Sequence, residues 1–406
     1  MDKQSTPKKK RFGNVFFIGL LSFFGGISQD IFLPLLPIYL STVLGFDKSF
    51  IGFTEGLVTS ASSIFKIISG FLTDKFKSRK SIVFVGYFLS MISRPLLAII
   101  TSGAGVSLLR FVDGVGKGVK DSPKDALIAD SSEYNTRGKS FGIARALDTF
   151  GSVVGPILLF ALLYLFQDNE HKYEYIFLIT AIPLFITLLI IIFKVKESRR
   201  LEGEISQSRI NQSSVDMKKS LPFKFFVFLA IMVLFSLGNS SDTFLILRAQ
   251  NVGVAILAIP LVYAFFNFVY ASASIPLGSL SDKIGREKVI ILGWLAYALA
   301  YLGFGLANQS YQVWILFGFY GIYYATTEGV AKALIADIVE PTHRGRAYGI
   351  YNSVIGVIAL PASFIAGVLW DKVSSSTPFF FGSFMASISV IFLFFFIRKY
   401  YKKNVL

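Results

Sequence analysis

The chain has 406 residues, 53% of them hydrophobic and only 16% charged, with a formal net charge of +15. That leaves too little polar surface for ordinary soluble domains of this length. It contains no cysteine, which excludes disulfides and any thiolate metal site.

Taken in chain order, the apolar residues come in blocks of about 20 or more, the length of helix that crosses a hydrocarbon core of roughly 30 Å. The first block runs over residues 15–44, directly after Lys8, Lys9, Lys10 and Arg11. It is too long for the apolar core of a signal peptide and shows no small-residue cleavage site, so it is expected to be a membrane helix. Later blocks cover 81–101, 176–193, 289–306 and 379–397. None alternates polar and apolar residues as barrel strands do, which excludes a membrane barrel. The expectation is an all-α integral membrane protein with twelve transmembrane helices.

Most of the 40 Lys and Arg fall at the two termini and near residues 74–80, 131–140, 194–224, 282–288 and 340–346. The alternate loops hold only Lys48, Lys172, Arg248 and Lys372. This asymmetry places both termini on the cytoplasmic side, by the excess of cations that internal loops carry; the expected location is the plasma (inner) membrane. A basic protein sorted this way by loop is not a nucleic-acid binder.

The longest polar stretch, 194–220, reads as a cytoplasmic linker between a bundle over 1–193 and a second over 221–406. Across it the sequence repeats at an offset of about 207 to 212 residues. Gly70-Phe-Leu-Thr-Asp74 recurs as Gly278-Ser-Leu-Ser-Asp282, and Ala126-Leu-Ile-Ala-Asp130 recurs unchanged as Ala333-Leu-Ile-Ala-Asp337. Arg137-Gly-Lys-Ser-Phe-Gly142 returns as Arg344-Gly-Arg-Ala-Tyr-Gly349, and Asp30-Ile-Phe-Leu33 as Asp242-Thr-Phe-Leu245. Four matches in one order point to duplication. Parallel six-helix repeats give two pseudo-symmetric bundles with the substrate path between them.

These residues resemble the major facilitator superfamily (MFS) over essentially the whole chain. Gly278-Ser-Leu-Ser-Asp-Lys-Ile-Gly-Arg286 follows its loop signature G-x-L-a-D-r-x-G-r-k, whereas the first copy, Gly70 to Arg79, has Lys77 in place of the glycine. Arg110-Phe-Val-Asp-Gly-Val-Gly116 resembles the fourth-helix signature R-x-x-q-G-x-g, with Asp113 at the glutamine position. Its continuation is similar to drug:proton-antiporter-like members that carry D-R-x-G-K-G-x-R-x-x-P-R-D-A, with Gly114, Lys120 and Lys124 where those have arginine. Gly151-Ser-Val-Val-Gly155-Pro156 resembles the first half of the antiporter motif on the fifth helix, and Leu159 and Phe160 stand where its closing glycine pair would be. The resemblance implies a monomeric secondary transporter in contact with membrane lipids, moving a small-molecule substrate by alternating access, with efflux slightly favoured. It also implies that Gly70, Asp74, Arg79, Gly278, Asp282 and Arg286, together with Gly155 and Pro156, serve gating.

An ionisable side chain near the bilayer centre costs roughly 3 kcal/mol on insertion scales, so each such residue asks for a role. Asp30, Glu55, Arg110, Asp113, Lys117, Arg145 and Asp148 fall at membrane depth in the first half, and Asp242 in the second. Arg110, Asp113, Lys117, Asp121 and Lys124 follow at spacings of three and four, so they share one helix face. Arg145 and Asp148 are placed to pair with Lys117 or with each other. The functional reading is a hydrated charge network facing a central cavity, in which Asp30, Asp113 or Glu55 takes up and releases protons. The structural alternative is that these charges pair to hold the first bundle together, which is the preferred reading for Lys66 and for Arg94 beside Pro95. The second half is expected to line the cavity with Asn239, Asn267, Tyr270, Tyr323 and Asn352.

Other classes fit less well. His171 and His343 are too few for a metal site, no cofactor motif or nucleotide-binding loop is present, and neither an enzyme nor ATP-driven transport is expected. Proton-coupled uptake of a small polar solute and a non-transporting sensor of the same fold remain the alternatives to efflux.

Overall fold

The computed structural model describes residues 8–76, 78–132, 137–197 and 221–400. The first apolar block forms α1 (Lys8–Ile38), which contains Pro34 and Pro37 and runs on into a π-helical turn over Tyr39–Val43. Each proline removes one donor from the helical ladder. The wider bonding that follows is seen where Leu44 N donates to Tyr39 O at 3.1 Å.

The rest of the first half comprises α2 (Lys48–Phe76), α3 (Arg79–Leu96), α4 (Gly103–Asp130), α5 (Arg137–Leu165), α6 (Lys172–Ile179) and α7 (Ala181–Phe193). The second half comprises α8 (Phe223–Gly238), α9 (Thr243–Asn251), α10 (Ile259–Ile284), α11 (Arg286–Leu306), α12 (Ser310–Ile338), α13 (Arg344–Lys372) and α14 (Thr377–Tyr400). No strand occurs among the described residues. Nine spans there are long and apolar enough to cross a membrane, with α6–α7 and α8–α9 each forming one of them; α3, α4 and α12 complete the twelve. The linker segment 198–220 lies outside the described residues.

Exposure is inverted relative to a soluble protein. Phe71, Leu165, Phe193 and Ile275 are each more than 70% exposed, while Arg94 and Arg110 are 2% exposed and Asp113 is 1% exposed. Apolar side chains outward and charges inward is the arrangement that suits hydrocarbon as the solvent.

Packing divides the chain into two compact units, Met1–Phe32 with Ala61–Lys218, and Leu33–Ser60 with Lys219–Leu406. In the first, α3 and α4 touch backbone to backbone: a Cβ at Gly116 would stand 2.7 Å from the carbonyl oxygen of Gly86. In the second, α13 meets the start of α2, and Asp371 accepts hydrogen bonds from Ser49 N at 2.7 Å and Lys48 N at 3.1 Å, capping that helix. The turn between α10 and α11 needs its signature glycine, since Gly285 sits at φ +101°, a conformation side-chain-bearing residues avoid. Lys77, at the matching place in the first copy, lies outside the described residues.

The repeat is visible in side-chain chemistry as well. Arg79 at the start of α3 pairs with Asp130 at the end of α4. Arg286 at the start of α11 pairs with Asp337, near the end of α12, at 3.1 Å. Both partners are displaced by the same 207 positions.

Candidate functional site

The first unit holds a polar cavity of about 300 Å³. Gly25, Gly26, Gln29 and Asp30 of α1, Arg94 of α3, and Lys117, Lys120, Asp121 and Lys124 of α4 form most of its charged or backbone-lined wall, closed by Asp148 and Ser152 of α5. Glycines on both helices let α1 and α5 approach closely along the cavity's edge: Gly26 lies against the backbone of α5 at Asp148 and Gly151, and Gly155 meets α1 at Ile27 and Asp30.

Behind the cavity wall sits Asp113. Its Oδ1 accepts from Arg94 Nε at 3.1 Å, and its Oδ2 lies 3.3 Å from both Arg110 Nη1 and Lys117 Nζ. Three cations thus converge on one carboxylate. The helical spacing of three and four brings Arg110 and Lys117 to it from the same helix, while Arg94 comes from α3 across the Gly86–Gly116 contact. Arg94 is further held by Ser28 Oγ at 2.9 Å and Gln29 Oε1 at 2.6 Å. Both guanidinium groups lie over the ring of Phe32, at 5.5 Å for Arg94 and 5.2 Å for Arg110. Such contacts satisfy the flat faces that hydrogen bonds cannot reach.

Asp30 is 6% exposed and lines the same cavity, yet among the described residues it forms no ion pair within 4.0 Å. Further along α4, Asp121 meets Lys120 at 3.0 Å and Lys66 at 3.7 Å, and Lys124 donates to Ser22 Oγ at 2.9 Å. Arg145 and Asp148 pair with each other at 3.3 Å.

The structure therefore brings together Asp30, Arg110, Asp113, Lys117, Arg145 and Asp148 within one unit. Glu55 and Asp242 belong to the other unit. There Asp242 stands in the break between α8 and α9 and accepts from Tyr320 Oη at 2.6 Å and Tyr324 Oη at 3.3 Å. Among the lining residues foreseen nearby, Asn239 Nδ2 donates to Tyr323 Oη at 3.1 Å.

The loop-signature residues occupy helix ends. Asp282 lies 3.6 Å from Arg286, one turn later. A Cβ at Gly70 would meet Ser122 Oγ at 3.3 Å, and one at Gly278 would meet nothing within 4 Å. Pro156 is inside α5, one residue after the Gly155 contact. The side chain of Asp74 lies outside the described residues.

Sequence reasoning read Arg94 as a structural pair, which matches its buried bond to Asp113, and did not single out Tyr320 and Tyr324. For Arg94 the available signal was Gly86, Ser90 and Arg94 at four-residue spacing, a small-residue stripe ending in a cation.

Nine apolar spans among the described residues, with a buried charge network in the first unit, define a polytopic membrane protein. The sequence profile of the Major Facilitator Superfamily matches residues 18–248 and again 225–406. The chain is 35% identical over 402 residues to the uncharacterized MFS-type transporter MJ1317 of Methanocaldococcus jannaschii, covering 97% of this chain and 98% of that one. It is 24% identical over 330 residues to the uncharacterized protein Rv2265 of Mycobacterium tuberculosis, covering 81% and 80% of the two chains. Among solved structures it is similar in fold to a D-xylose-proton symporter, with a TM-score of 0.76 at 16% identity over 96% of this chain and 98% of the other. The nucleoside transporter NupG gives a TM-score of 0.72 at 15% identity over 96% and 99%. This chain belongs to the major facilitator superfamily, and its substrate is a small molecule.

Proposed function

We propose that this transporter is proton-coupled, works by alternating access and exports its substrate, as a drug:proton-antiporter-like member of the superfamily. The observation that carries this reading is the contrast between two buried carboxylates in one unit: Asp113 is held by three cations, whereas Asp30 faces the cavity without an ion pair among the described residues. A carboxylate locked into three ion pairs gives up its charge only by leaving three cations unmatched. The division of labour is that Asp30 carries the proton and Asp113 keeps Arg94, Arg110 and Lys117 in place around it.

Protonation of Asp30 changes the charge of the cavity by one unit, and the positions of Arg94 and Lys117 beside it give that change something to act on. Asp74 and Asp282, with Arg79 and Arg286, serve as gate elements at helix ends, where a carboxylate caps exposed amides. The protein acts as a monomer in the inner membrane with both termini cytoplasmic.

Export is supported by Gly155-Pro156, with Gly155 seated against α1 beside Asp30. Symport is the second reading, favoured by Leu159 and Phe160 in place of a closing glycine pair.

The test uses purified protein in liposomes. Solutes that raise the melting temperature in detergent are placed at equal concentration on both sides, and a pH gradient, acid outside, is imposed. Faster exit of one solute supports antiport and faster entry supports symport. If neither sign of gradient alters the flux of any stabilising solute, proton coupling is wrong.

A further inference from the structure

Asp30 and Asp242 are related by the repeat, yet their surroundings differ in kind. Asp30 shares its cavity with Arg94 and Lys117. Asp242 is half-buried, in the second unit, and no ion pair to it exists among the described residues. Its neighbours are aromatic. Tyr320 and Tyr324 both donate their hydroxyl protons to its carboxylate. The two rings meet edge-on at 5.2 Å, and the ring of Phe266 lies 5.4 Å from each of them. Tyr270 packs against Tyr324 at 5.7 Å and donates its own hydroxyl to Glu328. Glu55 adds a second negative field to that of Asp242.

Two physical effects reinforce each other here. A carboxylate taken partly out of water is stabilised by a cation more than by hydroxyl groups alone. A phenol whose proton is shared with a carboxylate has a more electron-rich ring, which strengthens attraction of a cation to its face. The arrangement also has a helix break at its centre: the backbone leaves helical geometry at Asn239 and re-enters at Thr243. Ser240, 6% exposed within that break, has an Oγ with no hydrogen-bond partner, and Asn239 Oδ1 is likewise unpartnered. These buried acceptors lie in the same break as Asp242, of which the carboxylate and the ring of Tyr324 remain partly exposed while Tyr320 and Phe266 are packed behind them.

We propose that Asp242 and Tyr324, backed by the buried rings of Tyr320 and Phe266, bind the positively charged head of an organic ammonium substrate. This assignment rests on the transporter reading and names its substrate class. The head sits against the carboxylate and the face of Tyr324, and the uncharged remainder of the solute contacts neighbouring aromatic side chains. An inorganic cation would use the oxygens without needing the rings, so the rings select for an alkylated nitrogen.

The experiment measures binding of phenyltrimethylammonium to the full chain in detergent, by calorimetry at fixed pH and ionic strength. Its uncharged isostere tert-butylbenzene and sodium chloride serve as competitors. Saturable binding is expected, displaced by neither competitor. Asp242→Asn should weaken it at least about tenfold, Tyr324→Leu about fivefold or more, and Tyr324→Phe less than about threefold, because phenylalanine keeps the ring face. If Asp242→Asn fails to fold, judged by its melting temperature, the two Tyr324 variants carry the test. Absence of saturable binding, displacement by tert-butylbenzene or sodium, unchanged affinity in Asp242→Asn, or equal losses in Tyr324→Leu and Tyr324→Phe would each overturn the assignment. Binding is read without a gradient, so its failure leaves proton coupling through Asp30 standing, and a failure of coupling leaves these affinities unaltered.

Discussion

Arg94 Nε donates to Asp113 Oδ1 at 3.1 Å, tying α3 to α4 where both side chains are almost wholly buried. Removing only the carboxylate leaves three cations facing one another in a low-dielectric interior, so Asp113→Asn is expected to cost about 3–5 kcal/mol of stability. Adding Arg94→Gln to that variant removes one of the stranded cations and should recover more than 1 kcal/mol of the loss. Unfolding of the single and double variants in mixed micelles reads the coupling; strictly additive losses would mean the two residues do not form a working pair.

The two repeat-related ion pairs differ in burial, and that difference sets their worth. Asp130 and Arg79 have side chains 6% and 16% exposed, against 48% and 26% for Asp337 and Arg286. Asp130→Ala should therefore destabilise by about 3 kcal/mol and Asp337→Ala by about 1 kcal/mol or less. The same unfolding assay checks the order, and a larger cost at Asp337 would contradict it.

Two glycines give a steric contrast. Gly116→Ala puts a Cβ 2.7 Å from the Gly86 carbonyl, which is backbone and yields only if α3 shifts, so a loss of about 1–3 kcal/mol is expected. Gly278→Ala meets open space and should be neutral or stabilising by up to about 1 kcal/mol. Melting temperatures of the two variants would refute this if they fell equally.

Asp371 caps the start of α2 from the end of α13, and about two turns earlier on α13 Ser363, 2% exposed, packs against Gly52. Losing the cap is worth about 1 kcal/mol, or about a fivefold change in the population of an opened contact. In a Ser363→Cys reporter, maleimide labelling should speed up about fivefold when Asp371→Ala is added, and the cysteine-free sequence supplies no background. An unchanged labelling rate would show that the cap does not hold α2 against α13.

Much of the architecture was legible because membrane helices write themselves in long apolar runs and the duplication preserved short motifs such as Ala-Leu-Ile-Ala-Asp. The charged face of α4 was legible for the same reason: residues three and four apart must be neighbours, and Arg110, Asp113 and Lys117 are. Contacts between helices were not. Nothing in the spacing of Arg94 says which carboxylate it meets, because that depends on the backbone approach that Gly86 and Gly116 permit. Glu55 lies in the first half by sequence but packs with the second unit, a consequence of how α2 runs along α13 through Gly52, Gly56 and Gly367. Tyr320 and Tyr324 were hidden by their own chemistry, since tyrosine in a membrane helix is ordinarily packing, and only the position of Asp242 at a helix break turns their hydroxyl groups toward a charge.

The most direct measurement compares net transport with exchange in Asp30→Asn, using a solute shown to move in the wild-type protein. With equal solute on both faces of the liposome, labelled exchange needs no proton and should continue within about threefold of the wild-type rate, whereas movement driven by an imposed pH gradient should vanish. Gradient-driven movement at the wild-type rate in Asp30→Asn would contradict the assignment of the proton to that carboxylate.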